Sequence, residues 1–124
     1  MKQRQILAAY QAVTQLYKIE GLPFCISMDL YLLKKKLDPY IELEAEKERT
    51  LLAANGDNGV LTPEMKRELS KILDAEVEWK EEPLLFKLGY DLLHKMKITG
   101  ELLDKLDGFV IFEAVYEEGQ KSEG

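Results

Sequence analysis

The sequence is poor in the residues that most often carry covalent or metal chemistry. It holds one cysteine, one histidine and one tryptophan in 124 residues. A single cysteine cannot form an intramolecular disulfide, and Cys25 stands between the apolar residues Phe24 and Ile26, which predicts a small buried hydrophobe. The alternative is a nucleophilic thiol paired with His94, although no local motif supports that pairing.

The chain also lacks long apolar runs and an excess of positive charge. No apolar run approaches the ~20 residues that span a bilayer, and the segment from Met1 to Ile6 lacks the apolar core of a secretory signal. The formal net charge is −6, which disfavours nonspecific binding to nucleic acid or to an anionic membrane. We therefore expect a cytoplasmic protein without a membrane partner, for which nucleic acid is a disfavoured partner.

Familiar catalytic and phosphate-binding motifs are missing as well. The glycines follow neither the dinucleotide-binding nor the Walker pattern, and no Gly-x-Ser-x-Gly elbow occurs. Residues 55–59 have the composition of a calcium loop, but the third position counted from Asp57 is Gly59 and the fifth is Leu61, so the ligand spacing fails. We predict no catalytic, metal-binding or cofactor-binding residue, no cofactor, and a protein that is not an enzyme.

The residues that are present indicate a globular domain. Apolar residues make up 46% of the chain and charged residues 32%, a mix that is too apolar for general disorder. A chain of this length suits one domain with its own core. We predict a single helical domain over residues 1–116 and a disordered acidic tail over residues 117–124.

Helical periodicity dominates the first half of the chain. Apolar residues with the spacing of one helix face predict a first helix over residues 3–19, which Gly21 terminates: Ile6, Tyr10, Val13 and Tyr17. Ser27 is a candidate cap for a second helix over residues 28–54. Pro39 predicts a kink or a break in that helix near residues 35–38, with two abutting helices as an alternative.

A third helix is predicted after the Gly/Asp/Asn loop, because Thr62 is a typical cap and Pro63 suits the first helical position. The short connection predicts that this helix folds back on the second one as a hairpin over residues 28–74. Polar and apolar residues alternate at 76–80, and residues 84–88 are a candidate second strand that pairs back. Short helices are predicted over 90–96 and 100–106, and the apolar run 109–112 is predicted to be buried in the domain or in an interface. The predicted fold class is therefore mainly α with a minor β element, an antiparallel helical hairpin packed on an N-terminal helix with short strands near 76–88.

Two charged groups are candidates for binding. Five acids between positions 74 and 82 suggest a hard-cation site, and a metal-dependent enzyme would combine them with His94: Asp74, Glu76, Glu78, Glu81 and Glu82. Their spacing matches no ligand pattern, so a solvated surface is favoured.

The run Lys34 to Lys36 would serve a nucleic-acid-binding accessory protein, but consecutive lysines spread around a helix, which favours a solvated face again.

The favoured interpretation is a surface for another protein. The apolar stripe of the second helix fades beyond Leu43 into the charged run 42–49, so this part of the hairpin is predicted to project into solvent or to contact a partner. Tryptophan and tyrosine often anchor interfaces. The predicted interface therefore consists of Tyr40, Leu43, Leu51, Leu52, Trp79 and Phe112.

The order of these segments resembles that of a known group of proteins. A Leu-Pro connector at 22–23 precedes the helix Leu-Leu-Lys-Lys-Lys-Leu-Asp-Pro-Tyr at 32–40. A second helix ends in Ile-Leu-Asp-Ala-Glu-Val-Glu at 72–78, and a leucine-rich segment follows at 100–109. Over residues 5–112 the chain resembles small proteins of unknown function that are encoded in tailed-phage and prophage genomes of Gram-positive bacteria. The resemblance implies a structural, assembly or host-interaction role, in the host cytoplasm or with the virion.

These observations predict a non-enzymatic protein–protein interaction module that binds a protein partner or itself. A two-fold dimer is the default arrangement if the chain self-associates. The alternatives are a metal-dependent enzyme that uses the acidic cluster with His94, and a nucleic-acid-binding accessory protein that uses the lysine run.

Overall fold

Helices make up most of the chain in a computed structural model that describes residues 1–54 and 62–115. Within these ranges the order is three helices, a strand, two short helices and a second strand. The prediction of a mainly helical fold with a minor β element is confirmed. The loop predicted at 55–59 and the tail predicted at 117–124 lie outside the described residues.

Helix α1, Gln3–Tyr17, is the central element of the core. Its inward side chains are fully buried: Ile6, Ala9, Ala12, Val13 and Leu16. The Lys2 backbone N–H donates to the Gln5 side chain over 2.7 Å and satisfies a donor at the helix start. Gly21 adopts a positive φ of 82° shortly after the helix, as expected for a glycine that ends a helix.

Helix α2, Phe24–Ala54, begins earlier than the sequence predicted. The carbonyl of Pro23 accepts hydrogen bonds from the backbone N–H groups of Ile26 and Ser27, both over 3.1 Å. The fixed φ of proline suits the start of a helix. The proposed N-cap role of Ser27 was therefore wrong, because that residue lies inside the first turns.

Pro39 lies inside α2, which continues through it without a break. Leu37 before it is fully buried, and Tyr40 and Ile41 after it pack against the core. Pro39 itself is exposed, so the carbonyl group that loses its helical donor lies on the solvent side. Because the residues on both sides of Pro39 pack against the core, the chain forms one helix here and not the two abutting helices of the alternative prediction.

Helix α3, Pro63–Asp74, forms the predicted antiparallel hairpin with α2. The hydroxyl of Thr62 accepts from the backbone N–H of Met65 over 3.1 Å, which confirms the predicted cap. Met65 near the start of α3 lies beside Leu51, and Ile72 near its end lies beside Leu43. The two helices therefore run in opposite directions.

The strands differ from the prediction. Strand β1, Leu84–Leu88, pairs with β2, Val110–Ala114, in a parallel ladder that aligns Leu84 with Val110. Residues 76–80 form no strand, and within them only Glu76 makes an isolated bridge, with Lys2. Polar and apolar residues alternate here because Val77 and Trp79 contact the core while their neighbours face solvent. An extended segment gives this alternation even when it does not pair with another strand.

Helices α4, Tyr90–Met96, and α5, Gly100–Leu106, cross from β1 to β2 and make the parallel pairing feasible. Their bounds match the predicted ones. Thr99 caps α5 by accepting from the Leu102 backbone N–H over 3.2 Å. The core lies between α1, the inner face of α2, α5 and the inner side of the sheet, where Phe86 and Phe109 are buried.

Candidate protein-contact surfaces

The outer face of α2 carries a stripe of exposed apolar side chains, although solvent-facing helix positions are normally polar. These residues repeat at the spacing of one helix face and lie opposite the buried Leu30, Leu33 and Leu37. The exposed fractions are 76% for Phe24, 38% for Met28, 39% for Tyr31 and 48% for Leu32. We call these four residues the outer stripe.

Neighbouring side chains extend the outer stripe. The ring of Tyr17, at the end of α1, lies 6.2 Å from the ring of Tyr31 and is itself exposed. The Lys35 ammonium lies 5.5 Å from the centre of the Tyr31 ring, a cation–π contact that keeps this charge at the edge of the stripe. The result is an apolar surface at the end of α1 and on α2, with the charged residues Lys34, Lys35 and Asp38 beside its two tyrosines.

The two predicted aromatic anchors lie together against the core. The Tyr40 hydroxyl donates to the carbonyl of Glu78 over 3.0 Å, and the Tyr40 ring lies 5.6 Å from the Trp79 ring. Trp79 also contacts the ring of Phe109 at 5.2 Å. Its indole N–H is buried and has no acceptor among the described residues. These contacts attach the extended arm at 75–83 to the helices.

The other predicted interface residues are spread over separate parts of the surface. Leu43 is exposed on α2, and Leu51 and Leu52 are half-buried further along the helix. Phe112 is half-buried on β2 and lies 5.7 Å from the Phe86 ring. The structure therefore brings Tyr40 and Trp79 together but does not join all six residues into one surface, and their use as an interface stays a prediction.

Sequence reasoning missed the outer stripe although its spacing is visible in the chain. Residues 24–37 contain apolar side chains on both sides of the helix, and periodicity alone does not tell which of two opposite apolar stripes faces the core. The placement of the helix start at Met28 also hid Phe24, the most exposed of these side chains.

A second candidate surface is a groove beside β2, with a cavity volume of about 510 Å³. Its walls are α4, the connection to α5, the start of α5 and strand β2. The side chains that line it are mainly apolar, with two basic groups: Tyr90, Leu93, His94, Lys97, Ile98, Thr99, Leu103, Phe112 and Ala114. None of these lining residues carries a carboxylate.

Lys97 adopts the left-handed conformation in this groove, with φ 54° and ψ 51°. It ends α4, and its backbone N–H reaches the carbonyl of His94 over 3.1 Å. Glycine is the usual residue at such helix ends because a side chain makes this conformation unfavourable. The chain therefore accepts backbone strain at the residue that places a basic side chain in the groove wall.

The acidic cluster is dispersed into ion pairs. Asp74 pairs with Arg4 at 3.1 Å, Glu76 with the N-terminal amine at 2.9 Å and Glu81 with Lys36 at 2.7 Å, while Glu78 pairs with Lys80 at 2.6 Å. The amine lowers the pKa of Glu76 through its hydrogen bond. His94 lines the groove beside β2, and no residue of the acidic cluster does. Over residues 1–54 and 62–115, no group of three or more histidine, cysteine, aspartate or glutamate side chains has the arrangement to hold a metal ion.

The lysine run is divided between two parts of the surface, because Lys34 and Lys35 border one pocket with Tyr17 and Tyr31 while Lys36 borders another. Lys34 lies over the Tyr10 ring at 5.1 Å, and a hydrogen bond to the Tyr10 side chain raises the pKa of Lys34. Lys35 contacts Tyr31, and Lys36 pairs with Glu81. These three ammonium groups do not converge on one phosphate position.

Cys25 is exposed, and the prediction that it is buried was wrong. Because α2 begins at Phe24, Ile26 takes the inward position in the first turn and Cys25 faces solvent.

Glu44 is a carboxylic acid that is largely buried on the inner side of α2, where 8% of its surface is exposed. Burial raises the pKa of Glu44 to about 7, and a hydrogen bond and like charge from Glu48 act in the same direction. It borders a cavity of about 160 Å³ between α2 and the end of α3, together with Lys47 and Glu76.

No family model, curated protein or solved structure matches this chain. Among the helices of the described residues, none combines the length and the apolar character that crossing a membrane requires.

Proposed function

We propose that this chain is a non-enzymatic protein–protein contact module that self-associates through the outer stripe of α2. The observation that carries the proposal is the exposure of Phe24, Met28, Tyr31 and Leu32 on one face of one helix. A helix that faces only water normally carries polar residues there. An apolar outer face on a folded domain marks a surface that another protein covers.

The size of the surface supports a second copy as the occupant. Together with Tyr17, the outer stripe exposes roughly 400–500 Å² of side chain, given about 150–250 Å² for a whole aromatic residue. Two copies then bury about 1,000 Å² before flanking stems such as that of Lys35 are added, near the lower limit of about 1,200 Å² for specific interfaces. This area fits a weak, concentration-dependent dimer.

Two-fold symmetry suits the order of residues along the stripe. If two α2 helices cross antiparallel near position 30, Met28 of each copy approaches Leu32 of the other, and the two aromatic ends cover the flanks. Apolar side chains of one copy then contact apolar side chains of the other, and the charged residues beside Tyr31 lie at the rim. An isologous contact of this kind closes at two copies.

The resemblance described above supports an accessory or assembly role in a phage or prophage, where a small self-associating module would work in the host cytoplasm or with the virion. The enzyme alternative has no comparable support, because the acidic residues form separate ion pairs and no metal-binding group occurs among the described residues. The nucleic-acid alternative has none either, because the lysines of the run contact different partners.

Sedimentation equilibrium of two matched variants tests the proposal. Leu32 and Leu85 are similarly exposed, at 48% and 50%, and only Leu32 belongs to the outer stripe. We expect the wild type to reach twice the chain mass of 14.3 kDa with a dissociation constant of about 1–100 µM. Leu32→Lys should weaken association at least about 10-fold, or roughly 1.4 kcal/mol, and Leu85→Lys should leave it unchanged.

The exposed Cys25 provides a geometric control. An axis near position 30 separates the two Cys25 residues by about 15 Å along the helices, so a flexible bismaleimide of comparable length should link wild-type chains and fail to link Leu32→Lys. A wild type that stays monomeric at about 1 mM, or an equal loss of association in Leu85→Lys, would contradict the proposal.

A further inference from the structure

We propose that the groove beside β2 binds an extended acidic and apolar segment of a partner protein by strand addition to the open edge of β2. The proposal does not depend on self-association through α2. It rests on three features of one site, namely unpaired backbone groups, an adjoining apolar groove and basic side chains in the groove wall.

The first feature is the open edge of the sheet. In the ladder, the Leu84 N–H donates to the Phe109 carbonyl, and the Val115 N–H donates to the Leu88 carbonyl, both over 2.9 Å. This parallel register turns the backbone groups of odd-numbered residues of β2 toward β1. The backbone groups of Phe112 and Ala114 are therefore directed to the opposite edge, where none of the described residues hydrogen-bonds to them.

The second feature is the groove that adjoins this edge. Phe112 and Ala114 lie on its strand wall, and Leu93, Ile98 and Leu103 lie on its helical wall. In a segment that pairs with β2, alternate side chains point to the same side of the sheet. One or two apolar side chains of that segment would therefore enter the groove while its backbone pairs with Phe112 and Ala114, which is the geometry of strand-addition binding.

The third feature is charge. The chain as a whole carries a net charge of −6. The groove wall nevertheless contains the positively charged Lys97 and the basic side chain of His94, and its lining includes no carboxylate. Basic groups beside an apolar groove favour acidic residues in the bound segment and disfavour basic ones. Lys97 enters the groove wall from a left-handed backbone position at the end of α4.

Binding of defined synthetic peptides tests this inference. The probe is a peptide in which every second position, facing the groove, carries leucine or glutamate in turn and the positions between them carry threonine, and its matched control has lysine at every glutamate position. Fluorescence anisotropy should show binding of the acidic peptide at up to about 1 mM and at least about 10-fold weaker binding of the basic one. In NMR spectra, the amide signals of Phe112 and Ala114 should shift with the acidic peptide.

Two variants separate strand addition from nonspecific attraction. Ala114→Pro removes an N–H that points to the open edge and leaves the ladder bonds to β1 intact, a position where an edge strand tolerates proline. We expect it to abolish peptide binding with an unchanged circular dichroism spectrum. Lys97→Glu lies on the exposed surface and should weaken acidic-peptide binding at least about 5-fold. If Ala114→Pro does not fold, Lys97→Glu still tests the charge preference, and the amide shifts of Phe112 and Ala114 in the wild type test strand addition.

The outcomes are distinct from those of the self-association test. Leu32→Lys should bind the peptide as the wild type does. No binding of the acidic peptide, equal binding of the two peptides, or undiminished binding by Lys97→Glu would each overturn the inference.

Discussion

The carboxyl group of Glu44 lies where transfer from water penalises its charged form. Its pKa is about 7 in the folded protein against 4.5 as the ordinary value. Between these values the folded protein retains a proton that the unfolded chain has released. Proton binding by Glu44 therefore favours the folded state. This stabilisation is fully present below pH 4.5 and is lost as the pH rises through 7.

Glu44→Gln should therefore stabilise the protein at pH 8 and change it little at pH 4.5. We expect the free energy of unfolding at pH 8 to rise by about 1–2 kcal/mol, as measured by urea denaturation at the two pH values. Glu46→Gln is the matched control, because Glu46 is exposed and pairs with Arg49 on the surface. A variant that loses stability with rising pH as steeply as the wild type would show that Glu44 does not dominate the pH dependence of stability.

Single residues also show the limit of prediction for the candidate surfaces. Tyr40 and Trp79 were chosen because aromatic residues often anchor interfaces, and both contact each other beneath the arm. An aromatic residue is equally suited to a core, and sequence alone does not tell which side of an arm it faces. Phe24 was overlooked for the opposite reason, because it stood next to a proline and was assigned to a connector.

Helix α2 shows how packing overrides local propensity. Proline inside a helix costs about 3 kcal/mol relative to alanine, yet α2 continues through Pro39 because Leu37 and Ile41 on either side pack against the core. The helix therefore carries an unfavourable residue at an exposed position, where its ring contributes little packing.

Pro39→Ala should raise the free energy of unfolding by about 1–2 kcal/mol, since part of the helical gain is offset by the greater freedom of the unfolded chain. Pro63→Ala is a suitable control, because Pro63 stands at the start of α3 where proline fits, and should change stability by less than about 0.5 kcal/mol. Chemical denaturation monitored by circular dichroism measures both. A destabilised Pro39→Ala would indicate that the shape proline gives α2 is needed to seat Tyr40 and Ile41.

Elements with local signals were predictable and elements with distant partners were not. Thr62 caps its helix as predicted, and Thr99 caps α5 in the same way, because a hydroxyl three residues before a backbone N–H is a local arrangement. The run at 109–112 was predicted only to be buried in the domain or in an interface; Phe109 and Val110 are buried in the domain, whereas Ile111 is exposed. Its pairing with residues 84–88 depends on two intervening helices that bring the strands side by side, which no local pattern encodes.

Across the whole molecule, the arm at 75–83 joins parts of the chain that are far apart in sequence. The Val77 N–H donates to the Met1 carbonyl over 2.6 Å, the Tyr40 hydroxyl reaches the Glu78 carbonyl, and Trp79 contacts Phe109. The arm thus connects the N-terminus, α2 and the segment before β2 without forming regular secondary structure.

Trp79→Ala should therefore destabilise the entire domain by about 2–4 kcal/mol, slightly below the usual cost for a fully buried tryptophan. Thermal and urea unfolding of this variant should be compared with Glu81→Gln, which breaks only the exposed pair with Lys36 and should cost less than about 1 kcal/mol. Near-equal stability of the two variants would show that the arm is not an integral part of the fold.

The parallel ladder has a consequence for the nascent chain. During synthesis, Phe86 and Leu88 leave the ribosome well before residues 110–114 that pair with them, while α1, α2 and α3 can already contact one another. For that interval β1 presents an apolar face and two open edges to other emerging chains. The charge of Lys87, midway along β1 and exposed in the folded protein, lies where it opposes such premature association.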